Sequence, residues 1–179
     1  MKFIWLLLLL SLSISKANAQ LPEHWGAPTS LPIEGSDRVV LYTNDSAQIA
    51  LKTVANLLKS QGFQVDFHDR VGVTTSYRML DEIPGMRGSG AIAVTIVVSQ
   101  ELPGVLTLSG SSISQMTARK MFQQYHFKKD EVPLKRKIAT DTSAFGKSNS
   151  ESVQNGFNVL TAIAKAYPNC RVMYVKRGE

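Results

Sequence analysis

The sequence is poor in cysteine, and this shortage limits both its covalent chemistry and its metal chemistry. Cys170 is the single cysteine among 179 residues, so the chain cannot form an internal disulfide or a site built on paired cysteine ligands. No cysteine stands just after the N-terminal apolar run, so lipid attachment as in bacterial lipoproteins is not predicted. Stability must come from packing, which the 44% hydrophobic composition permits. We expect Cys170 to be a half-buried structural thiol, with an intermolecular disulfide as the alternative.

Long hydrophobic runs are absent beyond the first residues of the chain. Lys2 precedes an almost wholly apolar segment at residues 3–12, and Ala17-Asn18-Ala19 supplies the small residues of a cleavage site. This three-part order is typical of a secretory signal peptide, and the apolar segment is shorter than the roughly 20 residues that span a bilayer. We therefore predict a signal peptide at residues 1–19, an exported bacterial protein that is periplasmic or secreted, and no transmembrane segment after cleavage.

The sequence also lacks the short motifs of common catalytic and cofactor-binding families. It has no G-x-S-x-G nucleophile turn, no H-E-x-x-H zinc motif and no Walker loop. Gly85, Gly88 and Gly90 surround Arg87, but no helix follows them directly, so a phosphate cradle is not predicted. These absences favour a non-enzymatic protein, and we predict no cofactor and no resident metal.

Basic side chains are concentrated in one stretch. Removal of Lys2 and Lys16 with the signal peptide leaves 18 basic and 14 acidic side chains, a net charge of +4. Residues 119–137 hold two acidic and seven basic side chains, and the basic ones are Arg119, Lys120, Lys128, Lys129, Lys135, Arg136 and Lys137. Such a stretch is either a solvated face or a contact for an anionic glycan or lipid surface. Nucleic acid is not expected as a partner, because the chain is exported and few aromatics lie near the stretch.

Two segments have the periodicity of amphipathic helices. The first follows a strand predicted at residues 38–43, and its apolar stripe is Ala47, Ala50, Leu51, Val54, Leu57 and Leu58. Asp45 and Gln48 fit a capping box at its start. The stripe of the second helix is Val153, Phe157, Leu160, Ile163, Ala164 and Tyr167, and Pro168 ends it. Because each helix has a single apolar stripe, both must pack on another layer.

Strand patterns occupy much of the remaining sequence. Strands are predicted at residues 64–69, 73–79, 91–98, 105–109 and 171–176. In residues 73–79, alternation places Val73, Thr75, Tyr77 and Met79 on one face. We expect an extended lead-in at residues 20–37 and a single domain at 38–179, with an irregular excursion at 110–147 in which 115–125 fits either a helix or an extended strand.

The predicted fold is a two-layer α+β domain. Its antiparallel sheet has four to six strands, and two amphipathic helices cover one face in the order β-α-β-β-β-β-α. Over roughly residues 38–167 this order resembles the TATA-binding-protein-like or helix-grip domains. The resemblance implies a small domain of the kind that bacterial envelope proteins use, including the repeats of outer-membrane assembly lipoproteins. No site residue is transferred with it, and a ferredoxin-like sandwich is the alternative fold.

Candidate site residues cluster in residues 64–80. Asp66 and His68 share the solvent-facing side of their strand by alternation, about 7 Å apart. They are either half of a metal or acid–base site, which needs a further ligand, or ordinary exposed residues. Tyr77 and Arg78 are candidates for a contact surface on the sheet face away from the helices, depending on a one-residue register.

Three functions are consistent with this sequence. The leading interpretation is a non-enzymatic binding or assembly module of the cell envelope, with an envelope protein as its partner. The alternatives are a hydrolase or metal-dependent enzyme that uses Asp66 and His68, and binding of an anionic glycan or lipid through residues 119–137.

Overall fold

An antiparallel sheet forms the centre of the fold. The computed structural model describes residues 26–69, 71–86, 88–99, 102–124, 141–146 and 150–176, which form eight strands and three helices. The strands are β1 (Ser36–Tyr42), β2 (Val65–His68), β3 (Gly72–Thr75), β4 (Arg78–Met79), β5 (Ala91–Val98), β6 (Val105–Ile113), β7 (Asp141–Thr142) and β8 (Arg171–Lys176). The helices are α1 (Ala47–Ser60), α2 (Gln115–Gln124) and α3 (Glu151–Ala166). The predicted α+β class is confirmed.

The order of strands across the sheet is β2-β3-β5-β6-β1-β8, and every pairing is antiparallel. Two short strands pair with the ends of the long central strands β5 and β6. β4 pairs with the part of β5 that β3 does not reach, and β7 pairs with the part of β6 that β1 does not reach. The predicted four to six strands and two helices were therefore too few. Two-residue strands show no alternation in a sequence, and α2 lies in the segment that fitted either a helix or a strand.

Helices α1 and α3 share one face of the sheet, as predicted. Most of the apolar stripe of each helix enters a single large core with the inward side chains of β1, β5 and β6, but Ala47 at the start of α1 is exposed. The floor of this core on β5 is formed by Ile92, Val94, Ile96 and Val98. Full burial of one such side chain contributes about 1.5–3 kcal/mol. This layer is therefore the main source of stability among the described elements.

Helix α2 lies on the opposite face of the sheet. Its Ala118 and Met121 pack on Ala91 and Ala93, which alternate with the inward side chains of β5. These small side chains allow the helix to approach the sheet closely. Farther along the same face, Val40, Val105, Met173 and Val175 form a separate apolar cluster across β1, β6 and β8.

A one-residue bulge separates β3 from β4. Val73 pairs with Ile96, whereas Arg78 pairs with Ile92. The chain therefore advances five residues from Val73 to Arg78 where its partner β5 spans only four. The extra residue reverses which side chains face the helices. Val73 enters the helix-facing core, but Tyr77 packs in the cluster beneath α2. The prediction that residues 73–79 present one continuous face was therefore wrong.

The start of α1 is tied to the end of α3. The N-cap is Ser46, and its side chain makes no capping hydrogen bond, so the predicted capping box at Asp45 and Gln48 does not form. The Asp45 carboxylate instead accepts a hydrogen bond of 2.6 Å from the hydroxyl of Tyr167. Burial, with the Asp45 hydrogen bond as a further cause, raises the pKa of Tyr167 to about 12.

The two edges of the sheet differ. Residues 26–29 run along the outer edge of β8: the Gly26 N–H donates to the Lys176 carbonyl, and Thr29 and Tyr174 exchange two backbone hydrogen bonds. At the opposite edge, no strand among the described residues pairs with the outer side of β2.

A contact between small residues sets how closely α3 approaches β6. A side chain at Gly156 would overlap the hydroxyls of Ser112 and Ser143, and one at Gly110 would also strike Ser143. Both hydroxyls are fully buried and bond each other at 2.6 Å. The buried polar atoms thus satisfy one another where the helix crosses the strand.

We expect Gly156→Ala to lower the free energy of unfolding by up to about 2 kcal/mol, measured by urea denaturation. Overpacking costs about 1–3 kcal/mol, which outweighs the gain of about 1 kcal/mol that alanine brings to a helix. Asn158→Ala, an exposed position of the same helix, is the matched control and should not lose stability. An equal gain in both variants would contradict the close contact.

Tyr167→Phe should lower the free energy of unfolding at pH 7 by about 1–3 kcal/mol, because the Asp45 carboxylate loses its donor.

The raised pKa of Tyr167 also predicts how the stability depends on pH. Wild-type stability is complete below pH 10 and falls as the pH approaches about 12, because the unfolded chain ionises this phenol first. Urea titrations from pH 9 to 12 should show a shallower fall for Tyr167→Phe. Tyr42→Phe is the control: burial also raises the pKa of Tyr42, but no carboxylate adds to the rise, so its removal should change the fall less. Identical curves for wild type and Tyr167→Phe would refute the assignment.

Candidate functional site

The sheet face opposite α1 and α3 is uncovered along a strip between the two apolar clusters of that face. On β5, Thr95 and Val97 are exposed although Ile96 between them is fully buried on the other side. The open strip comprises Asp66, His68, Thr74, Thr95, Val97, Thr107 and Ser109. A central strand with an exposed valine, 48% accessible, is the feature that singles out this strip.

The strip consists of two cross-strand rows. In the first row, Asp66 stands opposite Thr74, which stands opposite Thr95, which in turn stands opposite Ser109. The second row leads from His68 through Gly72 and Val97 to Thr107. Because neighbouring strands lie about 4.8 Å apart, each row covers roughly 14 Å. The result is a surface of neutral hydroxyls with one apolar side chain, one carboxylate and one imidazole.

Asp66 and His68 share one face of β2 and are exposed, as predicted, although Phe67 on the other face is exposed as well. The Nε2 atom of His68 lies 2.5 Å from Oγ1 of Thr74. Within the described residues, no group of three or more His, Cys, Asp or Glu side chains is placed to hold a metal ion. The two residues that face Asp66 and His68 from β3 are Thr74 and Gly72, and neither is a further ligand of the predicted kind.

Tyr77 does not lie on the open strip. It is 9% exposed in the apolar cluster beneath α2. Burial raises its pKa, and its hydroxyl hydrogen-bonds with Ser111. Tyr77 is on the sheet face that the sequence allowed, but α2 covers it there. It is therefore a packing residue and not an accessible contact.

Arg78 points to the helix-facing side, opposite Ile92. Its Nη1 donates to the carbonyl of Gly62 at 2.6 Å, and its Nη2 donates to the carbonyl of Glu82 at 2.9 Å. A side chain at Gly62, whose φ is 82°, would overlap the guanidinium. Arg78 thus links the end of α1 to the turn after β4, which is a structural role.

The predicted basic surface lies mostly beyond the described ranges. Lys128, Lys129, Lys135, Arg136 and Lys137 are outside the residues that the structure describes. Arg119 and Lys120 are exposed on α2. Anionic binding through residues 119–137 stays a prediction.

The sequence missed the exposed residues of β5 and β6. Alternation in residues 91–98 did indicate a small, mildly polar face, to which Thr95 and Val97 belong. It could not show that α2 covers only Ala91 and Ala93 of that face. Which part of this face stays uncovered depends on where α2 docks on the sheet. No pattern within residues 91–98 indicates that position.

Cys170 is half-buried, as expected of a structural thiol. Burial raises its pKa, and its Sγ lies 3.5 Å from the carbonyl oxygen of Tyr167. This environment favours the protonated, unreactive thiol.

The chain matches no protein-family model, no curated protein and no solved structure. The resemblance to TATA-binding-protein-like domains therefore stays a prediction from the order of elements. In the part of the chain that the structure describes, no helix has the length and apolarity to cross a membrane.

Proposed function

We propose that this chain is an exported, non-enzymatic binding or assembly module of the bacterial cell envelope, and that the open strip contacts its partner. The exposure of Thr95 and Val97 in the middle of the sheet supports this proposal. The sequence supports the location, through the signal-peptide pattern of residues 1–19. An envelope protein is the partner that the element order implies.

The composition of the strip favours protein binding over catalysis. Its hydroxyls donate and accept hydrogen bonds without a fixed charge, and Val97 adds apolar area at the centre. The backbones of β5 and β6 are held on both sides by other strands, so their side chains are positioned before a partner arrives. Such preorganisation reduces the entropy lost on binding.

A photo-crosslinking amino acid in place of Val97 should capture a discrete envelope partner in living cells. Ile49 is the matched control, because it is an exposed apolar residue, 56% accessible, on α1 at the other side of the sheet. The same cells, once fractionated, should yield a mature chain that begins at Gln20. Equal capture from both positions, or retention of the chain in the cytoplasm, would contradict the proposal.

One contact favours the enzyme alternative. His68 Nε2 and Thr74 Oγ1 are within hydrogen-bond reach, as a general base and its nucleophile must be, and Asp66 lies on the same face of β2. No hydrogen bond joins Asp66 to His68 among the described residues, and the pair lies on an exposed surface. General-base catalysis needs an oriented imidazole, which this arrangement does not supply on its own.

If the chain were a hydrolase of this kind, His68→Ala and Thr74→Val would each abolish turnover on ester, amide and glycoside substrates. We expect no turnover above background from wild type, and no difference between wild type and either variant. Thr107→Val, at the far end of the second row, is the control. Wild-type turnover that is lost in His68→Ala and Thr74→Val but kept in Thr107→Val would establish the enzyme instead.

A further inference from the structure

The open edge of the sheet at β2 is only partly protected against pairing, by the shortness of the strand and by Asp66. β2 has the sequence VDFH, with no proline, lysine or bulge to prevent the addition of a strand. Asp66, Phe67 and His68 are all exposed, and Phe67 is 52% accessible. The ring of Phe67 therefore offers apolar area that a paired strand would remove from water.

The backbone of Phe67 points away from the sheet. The Ser76 N–H donates to the Gln64 carbonyl, which makes Gln64 and Ser76 a hydrogen-bonded pair. Such pairs alternate along an antiparallel ladder, so Asp66 also bonds to β3 and Phe67 does not. The N–H and carbonyl of Phe67 are therefore directed to the open edge, ready to bond another strand.

The side chains beside Phe67 are complementary to themselves. If a second β2 pairs antiparallel about a two-fold axis at Phe67, the two Phe67 residues stand opposite each other and exchange both backbone hydrogen bonds. Asp66 then stands opposite the partner's His68, and His68 opposite the partner's Asp66, on one face of the joined sheet. This register pairs the outward N–H and carbonyl of both Phe67 residues, covers the exposed rings and brings a carboxylate to an imidazole twice.

We propose that the partner for this edge is a second copy of the chain, and that two copies join through their β2 strands into one continuous antiparallel sheet. The Nε2 of His68 is bonded to Thr74, but among the described residues its Nδ1 has no partner and is free for the carboxylate of the other copy. The inference goes beyond the proposed function and stands without it.

The joined sheet has a consequence for the open strip. Asp66 and His68 are the first members of the two rows, so the rows of both copies meet at the junction. The dimer thereby presents one strip of double length. Because β2 has only four residues, the contact area is small, and association is expected to depend on concentration in the micromolar to millimolar range.

Sedimentation of the purified chain over a concentration series tests this pairing by charge exchange. Asp66→Lys places one lysine opposite each of the two His68 residues, and His68→Asp places one carboxylate opposite each of the two Asp66 residues. Each single change should weaken dimerisation about tenfold, since two favourable pairs become unfavourable. The double variant Asp66→Lys/His68→Asp exchanges the members of each pair and should recover dimerisation to within a few-fold of wild type.

Phe67→Pro should abolish dimerisation and leave the fold intact, because the N–H that it removes faces the open edge. Ile49→Lys, which removes a similarly exposed apolar residue from α1, should change nothing. A wild type that is monomeric up to millimolar concentration would overturn the proposal. So would dimerisation that persists in Phe67→Pro, or a double variant as weak as the single ones.

Cysteine cross-linking tests the register independently of affinity. In a Cys170→Ser background, Phe67→Cys should form a disulfide-linked dimer, because the two sulfurs lie on directly opposed residues. Gln64→Cys, which is equally exposed, would be separated from its counterpart by six residues, or about 20 Å, and should not cross-link. Equal cross-linking at both positions, or at neither, would overturn the pairing at Phe67.

Discussion

The burial of one face of β5 beneath α1 and α3 determines most of the remaining structure. Ile92, Val94, Ile96 and Val98 are at most 5% exposed and bind both helices to a single layer. Because this layer supplies the main apolar core, the opposite face needs only partial cover. That face is covered by α2 at one end and is apolar again across β1 and β8, and the region between is open. The open strip is thus a consequence of where the core lies.

Small residues maintain this arrangement at the point where α3 crosses β6. Gly156 and Gly110 allow the helix close to the strand, and the hydroxyls of Ser112 and Ser143 bond each other there. The second connection is the hydrogen bond from Tyr167 to Asp45, which joins the C-terminal end of α3 to the start of α1. Both helices are therefore fixed relative to the sheet at points far apart in the chain. Rigidity of the inner face extends to Thr95 and Val97, since they alternate with buried residues on the same strand.

Sequence patterns predicted the elements whose signal is local. The apolar stripe of α1 follows from a period of 3.6 residues. The alternation of β5 and the position of Asp66 and His68 on the same face of β2 follow from a period of 2 residues. Tyr77 and Arg78 could not be placed, because one extra residue before β4 exchanges their faces and no residue type marks that bulge. The partner of Asp45 is 122 residues away, and no local pattern can report such a contact. The position at which α2 docks on the sheet is also set by long-range contacts. The limits of the open strip depend on that position, so no local pattern could predict them.

The unequal edges of the sheet connect these observations to association. Residues 26–29 occupy the edge at β8, so of the two ends of the six-strand order only β2 has no neighbour on its outer side among the described residues. At an edge of this kind, a lone carboxylate normally hinders pairing, because burying it without a counter-ion is unfavourable. Asp66 hinders any partner that lacks a cation or a hydrogen-bond donor opposite it. His68, two residues away, supplies that group when the partner is an antiparallel copy centred on Phe67. The same carboxylate therefore excludes unrelated strands and admits an identical one, which makes the short edge selective although its contact area is small.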